Sequence, residues 1–397
     1  MSATAPNYNH TVTACFVGYI TQAVINNFMP LLFVTFAATL GIDMARLSAL
    51  ITVNFVTQLI VDVLAGKFVD RIGYKPCIIA AHLAALAGLL ALGLLPTRVP
   101  DPYLAILAAI FLYALGGGLI EVMVSPIVEA CPSEHKAKAM SLLHSFYCWG
   151  QLGTVAISTL FLFAFGTGSW PVLACLWAIV PAIGIAMFAG APMPRIVPEG
   201  TATMRFADLS KKPVFYLMFL MMLCAGAAEQ GMSQWASAFA ESGLGVTKVI
   251  GDLAGPAAFA LMMGLSRTIY GVLGHRLNLT AFIASSSVLC VAMYLTAALT
   301  TAPVLGLLAC ALTGFSVGIM WPGSISITAP RIPKGGTALF ALLAMAGDMG
   351  GAFGPSVVGY FSQHAGDNLQ AGLLTGCIFP LIMLATLIAM KKMTPEG

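Results

Sequence analysis

Charge is scarce in this chain. Asp, Glu, Lys and Arg together make up 8% of its 397 residues, against roughly 25% in a soluble domain. A water-soluble fold of this size is thereby excluded. Cysteine is not rare, at nine residues, but no Cys-x-x-Cys pair and no histidine cluster at ligand spacing occurs. No metal site and no cofactor are therefore expected, and the thiols read as small apolar fillers. A nucleotide-cradling Gly-x-x-x-x-Gly-Lys-Ser/Thr loop is missing, as is His-Glu-x-x-His. Neither ATP use nor hydrolytic chemistry is expected, and the chain does not read as an enzyme. Residues Met1 to His10 lack the basic and apolar zones of a cleaved signal, so the first apolar stretch is expected to stay in place.

What the chain has is apolar length. Hydrophobic residues reach 59%, and a helix needs about 20 of them in a row to cross roughly 30 Å of hydrocarbon. Six such spans are expected near Thr11–Phe36, Leu47–Val69, Pro76–Leu95, Tyr103–Val128, Ala139–Gly166 and Trp170–Met193. Six more follow near Pro213–Ala240, Asp252–Gly274, Leu279–Leu299, Pro303–Thr328, Thr337–Ser362 and Ala371–Met390. An even number returns both termini to one side. Fourteen Lys and Arg residues fall in joints on that side, and only Arg46, Arg98 and Lys248 on the other. This bias predicts a multi-pass protein of the cell membrane with both termini cytoplasmic. The net charge of +3 describes that topology and gives no reason to expect a nucleic-acid partner.

The expected fold is an all-α membrane protein with twelve helices in two pseudo-symmetric six-helix bundles. The longest polar joint, residues 194–212, separates a bundle over residues 1–193 from one over 213–397. Each half repeats a signature after its second span. The first is Gly66-Lys67-Phe68-Val69-Asp70-Arg71-Ile72-Gly73-Tyr74-Lys75, and a weaker copy, Gly271-Val272-Leu273-Gly274-His275-Arg276, follows 205 residues later. Paired repeats of this kind suit alternating access to a central site.

Gly-x-x-x-Asp-Arg-x-Gly-x-Lys between the second and third spans resembles the signature loop of the major facilitator superfamily. The likeness covers essentially the whole chain. Within that superfamily the chain resembles the fucose–galactose–proton symporter branch on four segments. These are Glu229-Gln230-Gly231-Met232-Ser233-Gln234-Trp235, Gly264-Leu265-Ser266-Arg267, His144 to Gly150, and Gly350-Gly351-Ala352-Phe353-Gly354-Pro355. The resemblance implies proton-coupled uptake of a sugar and a proton-carrying glutamate in the fourth span, here Glu121. One feature departs from the branch: its first span carries an acidic residue, whereas this one offers Gln22, Asn26 and Asn27 without a carboxylate.

Asp62, Glu121, Glu229, Arg267 and Asp348 lie within spans, where each needs a partner or a wet cavity. Glu121 follows Gly116-Gly117-Gly118, whose missing side chains leave space, and it is the first candidate for proton coupling, with Asp348 the second. Glu229, Gln230, Gln234 and Trp235 combine a carboxylate, amides and an indole, a set suited to a sugar. Gln22, Asn26, Asn27, Tyr147, Gln151 and Trp321 are further candidates for substrate contact. Asp62 and Arg267 occupy equivalent positions of the two repeats and read as a gate pair toward the cytosol. Asp70, Arg71 and Glu129 read as a latch on the same side. Alternatively, an Arg267 facing the cavity would favour an anionic substrate.

The expected activity is secondary transport of a small polar solute, with a sugar or polyol as the first expectation, driven by protons. The expected partners are that solute, protons and the lipid bilayer, with the chain acting as a monomer. Two other readings remain open at this level. One is proton-coupled export of a drug or organic anion, which a chain with 21 methionines would suit; the other, more remote, is a membrane-embedded enzyme.

Overall fold

The computed structural model describes residues 8–132, 136–194, 206–273, 278–328, 331–332, 336–366 and 368–392. Twelve helical spans run through them. They are α1 (Asn9–Leu40), α2 (Met44–Ile72), α3 (Tyr74–Leu94), α4 (Pro102–Ala130), α5 (Lys136–Phe165) and α6 (Thr167–Gly190). The second half contributes α7 (Pro213–Gly243), α8 (Lys248–Tyr270), α9 (Leu279–Leu299), α10 (Pro303–Thr328), α11 (Gly336–His364) and α12 (Leu369–Lys391). Eleven are apolar and long enough to cross a bilayer; the twelfth, α2, has a shorter apolar stretch, Ala49–Ala65. Asp62, Lys67, Asp70 and Arg71 crowd the end of that helix and limit its apolar length. With twelve crossings, both ends of the chain lie on one face, here called the terminal face.

Short polar residues start the helices. Asp43 accepts a hydrogen bond from the Arg46 amide at the head of α2, and Asp101 accepts from Tyr103 and Leu104 at the head of α4. Asn278 and Asn368 do the same for α9 and α12. Each satisfies amides that the first helical turn leaves without partners. The signature loop ends α2 at Gly73, whose φ of +100° is a conformation that a side chain resists. The joint residues 195–205, and residues 274–276 of the second-half signature, lie outside the described residues.

Burial is inverted relative to a soluble fold. Large apolar side chains such as Phe163, Leu299 and Val304 are exposed, while Gln58, Asp62, Gln151 and Glu229 are buried. Lipid solvates the outside and the polar groups converge within. Three helices break where they reach this interior. α1 loses regularity at Asn27–Phe28 and passes through a tight turn, Met29–Leu32, around Pro30. α7 breaks after Ser233, and α10 breaks between Val317 and Met320. These irregularities make α1 longer than the expected Thr11–Phe36. They also place free backbone groups beside the polar centre, the only environment in a membrane that tolerates them.

Candidate functional site

A cavity lies between the two halves and draws its wall from both. From α1 come Tyr19, Gln22 and Asn26, spaced three and four residues apart on one helical face. Glu121 of α4 and His144 and Tyr147 of α5 complete the polar wall of the first half. The second half adds Glu229 and Gln230 of α7, Arg267 of α8, Trp321 of α10 and Asp348 of α11. The volume open to water is about 50 Å³, small beside the roughly 300 Å³ or more of an occupied solute pocket. The site is contracted in this conformation.

The three consecutive glycines of α4 explain how Glu121 reaches this space. Successive helical residues point about 100° apart, so each glycine faces a different neighbour. A side chain on Gly116 would strike the α3 backbone at Ala81 and Ala85, and one on Gly118 the α2 backbone at Gln58. At Gly117 the added carbon would lie 2.7 Å from Gln22 Oε1. Three helices therefore approach α4 closely, and Gln22 is held against Glu121.

A chain of amides then runs from one half to the other. Gln22 Nε2 donates to Glu121 Oε2 at 2.7 Å and to Gln58 Oε1 at 2.6 Å. Gln58 and Asn54 both donate to Asn26 Oδ1 at 2.9 Å. Gln234 crosses the interface, donating to the Asn26 carbonyl at 3.3 Å and to Gln230 Oε1 at 2.8 Å. Gln230 donates to Glu229 Oε1 at 3.3 Å, and Glu229 Oε2 meets Arg267 Nη2 at 3.1 Å. Amides suit such a relay because each both donates and accepts.

The buried charges pair differently from the expectation. Arg267 does not meet Asp62. Its Nε donates to the Gly318 carbonyl at 3.0 Å, its Nη1 to the His144 carbonyl at 3.1 Å, and its Nη2 to Glu229. The side chain is long enough to leave the depth of its own α-carbon, which equivalence within the repeats ignores. Asp62 instead faces Asp348 across the interface, their carboxyl groups within hydrogen-bond reach.

Nine of the candidates read from sequence thus line the cavity: Gln22, Asn26, Glu121, Tyr147, Glu229, Gln230, Arg267, Trp321 and Asp348. Four expected solute ligands stand behind the wall. Asn27 bonds the Ala23 carbonyl and reaches Tyr147 Oη at 3.4 Å, and Gln151 donates to Ser233 Oγ at 2.9 Å. Gln234 serves the relay. Trp235 is committed to α11, its Nε1 donating to the Pro355 carbonyl at 3.0 Å; lying past the break in α7, its indole does not reach the side that Glu229 and Gln230 present to the cavity. The latch residues Arg71 and Glu129 are exposed at the terminal face, and no ion pair joins them among the described residues. The Asp70 side chain lies outside the described residues. Sequence reasoning passed over Tyr19, Phe55, Gly347 and Gly351, which also line the space. Tyr19 was within reach, since it shares the face of Gln22 and Asn26.

With this geometry in place, comparison with known proteins settles the family. The Major Facilitator Superfamily model matches residues 12–355. The chain belongs to the major facilitator superfamily. Among solved structures it is similar to a variant of the E. coli fucose:proton symporter FucP, with a TM-score of 0.73 at 16% identity over 98% of this chain and all of that one. A second FucP structure, in the outward conformation, gives the same values. The human organic anion transporter MFSD10 superposes with a TM-score of 0.70 at 15% identity, covering 96% of this chain and all of that one. At such identity the likeness shows the fold alone. No curated protein matches the sequence.

Proposed function

We propose that this member of the superfamily is a secondary transporter of a small polyhydroxylated solute, coupled to protons. The observation that carries the reading is the cavity between the halves, which combines carboxyl and amide groups with the rings of Tyr19, Tyr147 and Trp321. Carboxylates and amides match hydroxyls, and rings cover the apolar face of a sugar. Gln22, Asn26 and Gln230 would bind the solute, with Glu121 as the proton group beside it. Because the wall belongs to both halves, rocking them about the site would expose it to one side at a time. With both termini cytoplasmic, protons entering from outside would drive accumulation.

Counterflow in proteoliposomes tests this. A panel of labelled monosaccharides and polyols is expected to exchange across vesicles holding the protein, and an imposed pH gradient to drive accumulation of the exchanging solute. Absence of exchange for the whole panel would overturn the reading. Arg267 at the wall favours a second reading, an organic anion as cargo. Each of its three nitrogens already donates a hydrogen bond, to Gly318, His144 and Glu229, which weighs against that cargo. Exchange of labelled organic anions but not of sugars would reverse the order.

A further inference from the structure

The α2–α11 contact is a zipper between the halves. Along it, Thr52 Oγ1 lies 3.3 Å from Ser356 Oγ, the Phe55 ring packs on Gly351, and Asp62 faces Asp348. The residues ascend on α2 as they descend on α11, as antiparallel helices require. The first two contacts lie nearer the face opposite the termini, so the zipper closes that side. Asp348 lines the central cavity, and a second opening sharing Tyr19, Glu121, His144 and Trp321 continues past Ser125, Ile325 and Ala344 toward the terminal face.

Asp62 is fully buried, and neither of its oxygens receives a hydrogen bond from an N–H or O–H group; Asp348 Oδ2 is equally without a donor. Among the described residues, the charged groups facing the pair offer no cation. α4 presents Glu121, and beyond it α7 presents Glu229, whose Arg267 partner from α8 is engaged with it. Two carboxylates cannot approach within hydrogen-bond reach in a buried site unless a proton stands between them. That proton supplies the donor that Asp62 and Asp348 Oδ2 otherwise lack.

We propose that Asp62 and Asp348 bind one proton between them, and that this proton is the latch holding α2 against α11. Loss of the proton to water leaves two facing carboxylates, whose repulsion opens the zipper toward the face opposite the termini. Rebinding from that face closes it. In the closed state Asp348 drains through the cavity toward the terminal face, so the proton enters on one side and leaves on the other. The inference deepens the proton coupling proposed above by adding an interfacial site to Glu121. It does not depend on which solute is carried.

The test needs no solute. Spin labels on Arg46→Cys and Gln363→Cys, both exposed at the face opposite the termini, report the separation of α2 and α11 by double electron–electron resonance in nanodiscs. The nine native cysteines are buried or half-buried. The unsubstituted pair is expected to move from a short to a longer distance as pH rises. Asp62→Asn/Asp348→Asn, which supplies a permanent amide donor without charge, is expected to hold the short distance at every pH. The two single variants, each keeping one carboxyl opposite an amide, should do the same if the double variant fails to fold. Retention of the full pH response in either single variant overturns the proposal, as does a distance set by sodium at constant pH. If the distances behave as expected while sugar counterflow fails, the latch stands and the sugar reading falls.

Discussion

The halves meet along two seams that bury charge in opposite ways. On the α5–α8 side the buried charges among the described residues have counter-groups. Arg267 meets Glu229 and two carbonyls, and Asp252 is held by Lys248 at 3.1 Å, by Thr159 at 3.1 Å and by Ser237. On the α2–α11 side two carboxyls meet with no cation between them among the described residues. A balanced seam keeps its contacts at any moderate pH, whereas a like-charged seam holds only while a proton stays. If the halves rock as proposed, the first seam would serve as the hinge and the second as the switch.

Removing one partner should therefore have opposite signs on the two seams. Arg267→Met leaves Glu229 buried without its cation, a change expected to lower stability by about 3–5 kcal/mol. Thermal unfolding in detergent reads this directly. Adding Glu229→Gln should restore most of the loss, because no unpaired charge then remains. A double variant as unstable as the single one would show that Arg267 acts through Gly318 and His144 instead.

At the other seam, Asp62→Asn should leave the protein as stable as the unsubstituted chain at low pH and more stable at high pH. The sign follows from linkage: a pair that holds a proton is stabilised while the proton is bound, and loses that contribution as pH rises and it leaves. The expected effect is a few degrees in the unfolding temperature at the high-pH end, and a flatter pH profile. If Asp62→Asn instead destabilises at all pH values, the seam is an ordinary structural contact.

The contrast between seams was only partly visible in the sequence. Twelve apolar runs and the joint before α7 specify the architecture, because span length and loop charge are set by the membrane alone. Glu121, Glu229 and Asp348 could be singled out because charge within a span needs a reason. Their partners could not be assigned. Depth along a helix says where an α-carbon sits, yet Arg267 reaches away from it to Glu229, and the repeat-based match with Asp62 fails for that reason. Helical phase decides the rest. Gln230 and Gln234 share a face and differ in role, because Gln234 meets Asn26 of the other half. Contacts between halves are long-range in the chain, and no local pattern encodes them.

A third test bears on how Glu121 is held near the like-charged seam. Gly117→Ala puts a carbon 2.7 Å from Gln22 Oε1, and the amide must give way. Overpacking of this kind is expected to lower stability by about 1–3 kcal/mol. Solute exchange should fall further than stability does, since the displaced amide is also a wall residue. Equal exchange at equal protein level would remove Gln22 from the binding site.

The smallest effect should separate wall from scaffold within α7 and α10. Trp235→Phe removes the hydrogen bond to the Pro355 carbonyl, worth about 0.5–1.5 kcal/mol, while leaving an aromatic ring in the packing. The concentration of solute giving half-maximal exchange should not change, because the indole touches α11 rather than the cavity. Trp321→Phe makes the comparison: its ring lies over Gly347 at the cavity wall, so the half-maximal concentration should rise. A shift at Trp235 with none at Trp321 would reverse the two assignments and place the solute beyond the break in α7, nearer the face opposite the termini.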